Sequence, residues 1–158
     1  MDDRLFRTAM GKFATGVTVI TTKLNNEIYG MTANAFMSVS LNPKLVVISV
    51  GEKASMLERI KQSNKFTVNI LAEDQQYYSQ LFAGQIKDPQ KVDFDDINGA
   101  PAIPGAIAQI SCEVATSHAE GDHTLFIGHV LDVCLQDGNP LLFFNGQYSE
   151  LKEKVAIQ

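Results

Sequence analysis

Residues 30–41, GMTANAFMSVSL, constrain the fold most, because their side chains alternate between two chemical kinds. Successive residues of an extended strand point to opposite faces. One face would then be apolar, with Met31, Ala33, Ala35, Met37, Val39 and Leu41. The other would carry Thr32, Asn34, Phe36, Ser38 and Ser40. The pattern predicts one strand with two unlike faces, unless a bulge near Asn34 or Ala35 shifts the phase.

The polar face of this strand has no charged residue, since none occurs between Ile28 and Pro43. A strand surface in contact with water normally carries Lys, Glu or Arg, so we expect this face to be covered. Short hydroxyls and an amide suit a flat polar ligand, which they orient by hydrogen bonds. Hydroxyl contacts with neighbouring strands explain the same residues equally well. The pattern leaves both explanations open.

Strand-like segments outnumber helical ones along the rest of the chain. They comprise residues 17–22, 45–50, 66–71, 106–116, 125–135 and 141–144, with Asn25-Asn26 as a turn between the first strand and the next. They follow one another as hairpins and meanders, without the alternation of strand and helix that marks a doubly wound sheet. We predict a mostly β (α+β) domain spanning residues 1–158, a small antiparallel β-barrel with peripheral helices.

Two helices have recognisable start signals. Asp2 or Asp3 can cap a packing helix whose apolar residues are Leu5, Phe6, Ala9, Met10 and Phe13. Ser55, with Glu58 three residues later, forms a capping box for a helix ending near Gln62. Lys53 lies just ahead of this second helix, so its N-terminus could hold a phosphate. Ordinary capping by Ser55 is the stronger explanation on spacing alone.

A polar segment from Ala83 to Gly105 is too long for a simple connection and suggests a lid or a subunit contact. Its one large aromatic residue, Phe94, is expected to anchor the segment to the core rather than to cap a ligand. Cys112 and Cys134 lie in strand-like segments without metal-ligand spacing, which predicts buried free thiols and no metal site.

Charge and composition limit the kinds of partner and the cellular location that we expect for this protein. The formal net charge of −5 argues against nucleic acid as a partner. Apolar runs are far shorter than a membrane span, and the first ten residues lack the pattern of a secretory signal, so we expect a cytoplasmic protein without a membrane partner. Phosphate-binding, dinucleotide-binding, nucleophile-elbow and HExxH motifs do not occur in the sequence.

Five motifs together resemble the flavin reductase family. They are FRTAMGKFATGVTVITT (6–22), GMTANAFMSVSLNPKLVVISV (30–50), FTVNIL (66–71), GDHTLFIGHV (121–130) and PLLFFNGQY (140–148). The likeness covers nearly the whole chain and is strongest to the reductase components of two-component flavin-dependent monooxygenases, such as that for 4-hydroxyphenylacetate. It implies an FMN-binding split barrel that works as a homodimer.

The resemblance also implies roles for individual residues. On the flavin side it assigns Thr32, Ala33 and Asn34 to the ring and ribityl parts, Ser38 and Ser40 to the ribityl chain or phosphate, and Lys53 and Ser55 to the phosphate. On the nicotinamide side it assigns Gly121, Asp122 and His123, with Tyr148 completing that side. Spacing alone would make His123 an ordinary exposed loop histidine.

The expected activity is hydride transfer from NADH or NADPH to FMN or FAD, with reduced flavin diffusing to a partner oxygenase. No catalytic acid or base is required, because the flavin supplies the electron chemistry and the protein supplies position and electrostatics. Two alternatives remain open from the sequence. One is a flavin-binding protein that stores flavin or shuttles electrons, and the other is an enzyme resembling pyridoxamine-phosphate oxidase.

Overall fold

The computed structural model describes residues 1–153, which contain three helices and twelve strands. The helices are α1 (Asp3–Gly11), α2 (Met56–Ser63) and α3 (Gln76–Phe82). The strands are β1 (Thr15–Gly16), β2 (Thr18–Leu24), β3 (Glu27–Ala33), β4 (Phe36–Leu41), β5 (Lys44–Gly51), β6 (Lys65–Ile70), β7 (Asp95–Ile97), β8 (Ala100–Ala102), β9 (Ala108–Glu120), β10 (His123–Leu135), β11 (Leu142–Phe144) and β12 (Gln147–Ser149). None of these three helices is long and apolar enough to cross a membrane.

Seven strands form one antiparallel sheet in the order β3-β2-β6-β9-β10-β5-β4. Its two edges, β3 and β4, follow each other in the chain with only Asn34 and Ala35 between them. Three steps between successive Cα atoms span at most about 11 Å. The sheet therefore curls until its edges nearly meet, which confirms the predicted antiparallel, barrel-like class.

The prediction of a single strand over residues 30–41 is wrong. The chain leaves the first edge of the sheet after Ala33 and joins the opposite edge at Phe36. Met31 and Ala33 pack against the main core cluster, whereas Met37 on β4 is 59% exposed. The alternation of side chains is thus divided between two strands, because the ladder is broken at Asn34 and Ala35.

The main core lies between the curled sheet and α2. Ile20, Val46, Ile48, Phe66, Val68 and Phe126 from four strands pack there with Met56, Leu57 and Ile60 of the helix. The predicted β2–β3 hairpin is confirmed, and its two turn residues, Asn25 and Asn26, have positive φ angles of 52° and 64°. Asn tolerates this left-handed backbone better than most residues do.

Helix α1 begins as predicted, because the Asp2 carboxylate accepts a hydrogen bond from the backbone N–H of Arg4 at 3.0 Å. The prediction that it packs on the rest of the chain is wrong for a single copy. No residue of α1 is buried, and Leu5, Phe6 and Met10 are each more than half exposed. An apolar helix face therefore remains at the surface.

The segment after α3 is held to its own barrel by buried polar side chains. Asn69 accepts a hydrogen bond from the N–H of Ile103 at 2.8 Å and donates one to the carbonyl of Val19 at 2.8 Å. Thr21 donates to the carbonyl of Pro101 at 2.6 Å. Phe94 lies against Phe82 with ring centroids 6.1 Å apart, which confirms that it anchors the segment.

The two cysteines differ in their surroundings. Cys112 is buried, as predicted, and burial raises its thiol pKa to about 12. Cys134 is exposed, so the prediction of a second buried thiol is wrong. A register shift in the β9–β10 pair falls between Val130 and Asp132, ahead of this residue. Within residues 1–153, no three His, Cys, Asp or Glu side chains are grouped as metal ligands.

Candidate functional site

Three clefts share the side of Asn34, the residue at which the chain crosses between the sheet edges. Their volumes are about 350, 800 and 340 Å³, and Asn34 lines each of them. Small-molecule sites commonly have volumes of about 300 to 1,000 Å³. The break between β3 and β4 thus places an exposed amide, which can both donate and accept hydrogen bonds, at the centre of a ligand-sized surface.

The first cleft, of about 350 Å³, lies between the end of β3 and the C-terminal strands. Thr32, Ala33, Asn34 and Tyr148 line it together, so four of the predicted site residues do meet there. The Thr32 hydroxyl donates to the carbonyl of Ser79 at 2.6 Å. Because that bond uses its only proton, Thr32 can offer a ligand in this cleft only an acceptor.

Ser79 was missed by the sequence analysis, although it connects the two sides of the first cleft. Its side chain is 1% exposed, and its hydroxyl shares a hydrogen bond of 2.7 Å with the Tyr148 hydroxyl. The Tyr148 ring also packs edge-on against Phe143, with centroids 5.4 Å apart. Ser79 has no motif of its own, and only the position of α3 against β3 reveals it.

The second cleft, of about 800 Å³, is mainly apolar. Met10 and Phe13 line one side, and Phe36, Met37 and Leu125 line another. Aromatic and aliphatic walls with few polar groups suit a flat ring system. Asn34 and Ser49 lie at this cleft as well, so polar groups are available to orient such a ligand.

Ser38 and Ser40 lie on β4, where Ser38 pairs with Val46 and Ser40 pairs with Leu45 of β5. Ser38 is two residues beyond Phe36 and so shares its face of the strand. Phe36 and Met37 both line the second cleft, whereas Ser38 and Ser40 are not among the residues that line it. A register irregularity between Ser38 and Ser40 breaks the simple alternation before Ser40.

The Gly121–His123 turn and the Lys53 loop form one surface, although the sequence analysis treated them as separate. His123 pairs with Gly51 in the β5–β10 ladder, and the carbonyl of Asp122 accepts a hydrogen bond from the N–H of Glu52 at 2.9 Å. The backbone of Ala35 is bonded to Ser49, two residues before Gly51. Two strand residues span about 7 Å, so the turn lies near the Asn34 crossing.

Asp122 and His123 form a close pair at the tip of the β9–β10 hairpin. The imidazole Nδ1 donates to the Asp122 carboxylate at 2.7 Å. This hydrogen bond, and then the His123 charge, lower the pKa of the carboxyl below its ordinary value, and the charge of Lys53 lowers it further. An acid and two basic groups therefore share this part of the surface. Tyr148 is not among them, since it lies in the first cleft.

Ser55 does not cap α2, so the predicted capping box is wrong. Ser55 has helical φ and ψ angles of −60° and −23°, and its side chain makes no cap hydrogen bond. Its hydroxyl oxygen instead accepts from Nη1 of Arg59 at 3.0 Å. Arg59 belongs to no motif in the sequence, although a residue four positions along a helix is a neighbour of the first.

Comparisons with known proteins agree with this geometry. The family model described as "Flavin reductase like domain" matches residues 10–152. An NADH-dependent flavin reductase from Rhodococcus sp. is 42% identical, over 92% of this chain and 85% of its own length. The reductase component of 4-hydroxyphenylacetate 3-monooxygenase from Thermus thermophilus is 37% identical, over 92% of this chain and 95% of its own.

Two solved structures extend the likeness to the fold. The native-state structure of the flavin reductase PheA2 is 61% identical and superposes with a TM-score of 0.95, covering 97% of this chain and 100% of that one. The NADH:FAD oxidoreductase SgcE6 of Streptomyces globisporus, solved with NAD and FAD fragments, is 36% identical, with a TM-score of 0.90 over 98% of this chain and 96% of that one.

Proposed function

This chain belongs to the flavin reductase family, and from that premise we propose that it transfers hydride from NADH to FMN or FAD and supplies the reduced flavin to a partner monooxygenase. The observation that carries the proposal is the full-length likeness to reductases named for this reaction, joined to a ligand-sized surface at Asn34. FMN and FAD are both retained, because relatives named for each are similar to this chain.

The residues around Asn34 fit a flavin. The second cleft supplies the apolar wall for a three-ring ligand, and the Asn34 amide can hydrogen-bond to the polar edge of the ring. We assign Thr32, Ala33 and Asn34 to the ring and ribityl parts, Ser38 and Ser40 to the ribityl chain, and Lys53 and Ser55 to the phosphate. The flavin supplies the hydride acceptor when it is bound.

The protein's part is to bind and orient the two nucleotides. We assign Gly121, Asp122 and His123 to the nicotinamide nucleotide, because they adjoin the Lys53 loop and the Asn34 crossing. Tyr148 is expected to contact whichever part of a ligand enters the first cleft, since its hydroxyl is fixed by Ser79. Holding donor and acceptor about 3 to 3.5 Å apart in the right orientation is the main contribution required of these residues.

A homodimer is part of the proposal, supported by an exposed apolar surface beside the second cleft. Phe13 of the segment after α1 is 78% exposed, and Met37 and Leu41 of β4 are 59% and 81% exposed. Monomeric proteins rarely leave apolar patches of more than a few hundred Å² in water. A second copy seated on this surface would cover the patch and deepen the cleft.

The test is NADH oxidation by flavin-free protein, followed by NADH absorbance with no flavin, FMN or FAD added. We expect turnover only with flavin, and anaerobic bleaching of the flavin at the same rate. Oxidation that is equally fast without flavin would contradict the proposal. Flavin binding without turnover would indicate the storage or shuttle alternative, and oxidation of pyridoxamine phosphate without NADH use would indicate the oxidase alternative.

A further inference from the structure

Arg59 is stacked on an aromatic ring at the edge of the curled sheet. Its guanidinium carbon lies 3.7 Å from the centroid of Tyr29 on β3, which is the geometry of a cation–π contact. The Tyr29 hydroxyl in turn donates to the Glu27 carboxylate at 2.5 Å, and this bond is the first cause that raises the Tyr29 pKa. The Tyr29 ring is therefore held in place at its hydroxyl end, and the Arg59 guanidinium stacks on its face.

The same guanidinium determines what the Ser55 hydroxyl can do. Arg59 donates to the Ser55 oxygen at 3.0 Å, so the oxygen already has a donor. A hydroxyl has one proton, and this arrangement leaves that proton free to point at an acceptor. The oxygens of a flavin phosphate are acceptors when ionised. Arg59 thus orients Ser55 for a phosphate rather than for the helix backbone.

The charges around this cluster favour an anion. Arg59 and Lys53 are both cationic, and the acidic neighbours have other partners. Glu58 lies 3.5 Å from Lys61, and Glu27 is bonded to Tyr29. Glu52 is exposed in the loop ahead of α2 and is the one acidic group of this loop that opposes the two cations. Asp122 lies near Lys53 and is bonded to His123. Arg59 is the charged group in direct contact with the Ser55 oxygen, so the charge nearest to that hydroxyl is positive.

The cluster also lies beside the strand that carries the proposed flavin residues. Arg59 stacks on Tyr29, which places α2 beside β3, and Ala33 lies four residues farther along the same strand, about 13 Å from Tyr29. A ligand seated at Ala33 and Asn34 would need to extend only along this edge to bring a phosphate to Ser55.

We propose that Arg59 is the positioning residue for flavin phosphate recognition. It holds the Ser55 hydroxyl proton outward and adds its charge to that of Lys53, so that the protein distinguishes phosphorylated flavins from riboflavin. The inference rests on the proposed function and deepens it. The shared chemistry is a phosphate attached to the ribityl chain, which FMN carries as a terminal group and FAD carries within a diphosphate.

The experiment measures dissociation constants of FMN, FAD and riboflavin from quenching of flavin fluorescence, for wild type, Arg59→Ala and Arg59→Lys. We expect Arg59→Ala to weaken FMN and FAD about tenfold, because a hydrogen-bonded charge is lost, and to leave riboflavin within about twofold. Arg59→Lys should recover part of the loss, since it keeps the charge without the planar stack and fork. A larger loss for FMN than for FAD would indicate a dianionic terminal phosphate as the favoured group.

Lys65→Ala is the matched control, because it removes one exposed positive charge just beyond the same helix and leaves the Glu58–Lys61 pair in place. It should leave all three constants within about twofold. Equal losses for the three flavins in Arg59→Ala would mean a merely structural role, and no loss would remove Arg59 from phosphate recognition. Either result overturns the inference. If Arg59→Ala does not fold, Arg59→Lys and Tyr29→Leu provide the comparison, and both should favour riboflavin relative to wild type.

Failure of this inference and failure of the proposed function give different results. If wild-type protein reduces FMN and riboflavin with NADH but shows the same preference between them as Arg59→Ala, the proposed function stands and the inference about Arg59 fails. If wild-type protein binds FMN but does not oxidise NADH, the proposed reaction is wrong, while the Arg59 binding comparison can still succeed.

Discussion

His123 lies opposite Gly51 across the β5–β10 pair, so close that a Cβ built on Gly51 would be 3.6 Å from the imidazole Nε2. Two loops that are separated by about seventy residues in the sequence thereby become one surface, with Lys53 on one side and Asp122 on the other. The nicotinamide and phosphate groups proposed to bind here would be neighbours rather than occupants of distant sites.

His123→Ala should raise the Michaelis constant for NADH by severalfold to roughly tenfold, because one ligand hydrogen bond of about 0.5 to 1.5 kcal/mol is lost. Flavin affinity should stay within about twofold, since the substitution keeps the β5–β10 backbone pairing. Steady-state kinetics and a flavin titration measure the two effects. His118→Ala, on the other strand of the same hairpin, is the control. A variant that loses flavin but keeps its NADH constant would place His123 in the flavin pocket.

The carboxyl of Asp122 should titrate below its ordinary range, and His123→Ala should return its pKa toward the ordinary value, because the hydrogen bond and the charge of His123 are both removed. A folded-state pKa below the unfolded value adds stability that is present above the unfolded pKa. That contribution is lost as the pH falls through the folded pKa, so neutral pH retains it and strong acid removes it. Carboxyl chemical shifts followed by NMR against pH report the pKa. An unchanged Asp122 titration in His123→Ala would contradict the assignment.

Gly30→Ala should destabilise the fold by about 1 to 3 kcal/mol, the usual cost of overpacking. A Cβ at this position would be 2.4 Å from Cδ1 of Phe82, so the ring on α3 would have to move. Gly16→Ala is the matched control, because a Cβ there would meet nothing within 4 Å. Urea unfolding measures both variants, and equal midpoints for the two would refute the clash.

Asn69→Ala should cost about 1 to 3 kcal/mol, because it leaves the N–H of Ile103 and the carbonyl of Val19 without their buried partner. The segment around Ile103 should then become easier to cleave with protease than in wild type. Asn139→Ala removes an exposed amide and should leave the unfolding midpoint nearly unchanged. Loss of global stability without faster cleavage near Ile103 would argue against the docking role of Asn69.

Leu41→Lys should shift the protein from dimer to monomer, because an unpaired charge buried in an interface costs several kcal/mol. Leu41 is 81% exposed in the single chain, so the folded monomer should tolerate the change. Light scattering at several concentrations measures the mass, with Gln62→Lys, at an exposed position of α2, as the control. A wild-type monomer that is fully active at micromolar concentration would contradict the proposed dimer.

Local sequence determined those features whose partners lie within a few residues. Asp2 caps α1 because its carboxylate reaches the N–H of Arg4, and Asn25-Asn26 turns because Asn accepts positive φ. The apolar run at residues 45–50 was sufficient to predict a strand, but only the face with Val46, Ile48 and Val50 is buried, and the other face is half-buried. The antiparallel class followed from the order of such segments.

Tertiary structure decided the features that depend on which distant segments meet. Residues 30–41 divide into two strands because the sheet curls and its two edges join at Asn34 and Ala35. Ser55 does not cap α2 as predicted, because Tyr29 of β3 stacks on Arg59 and holds it within hydrogen-bond distance of the Ser55 hydroxyl. Tyr148 lies with Thr32 rather than with His123, because buried Ser79 bonds to both. A hydroxyl can satisfy its hydrogen bonds with many partners, and only long-range packing selects the one that is present.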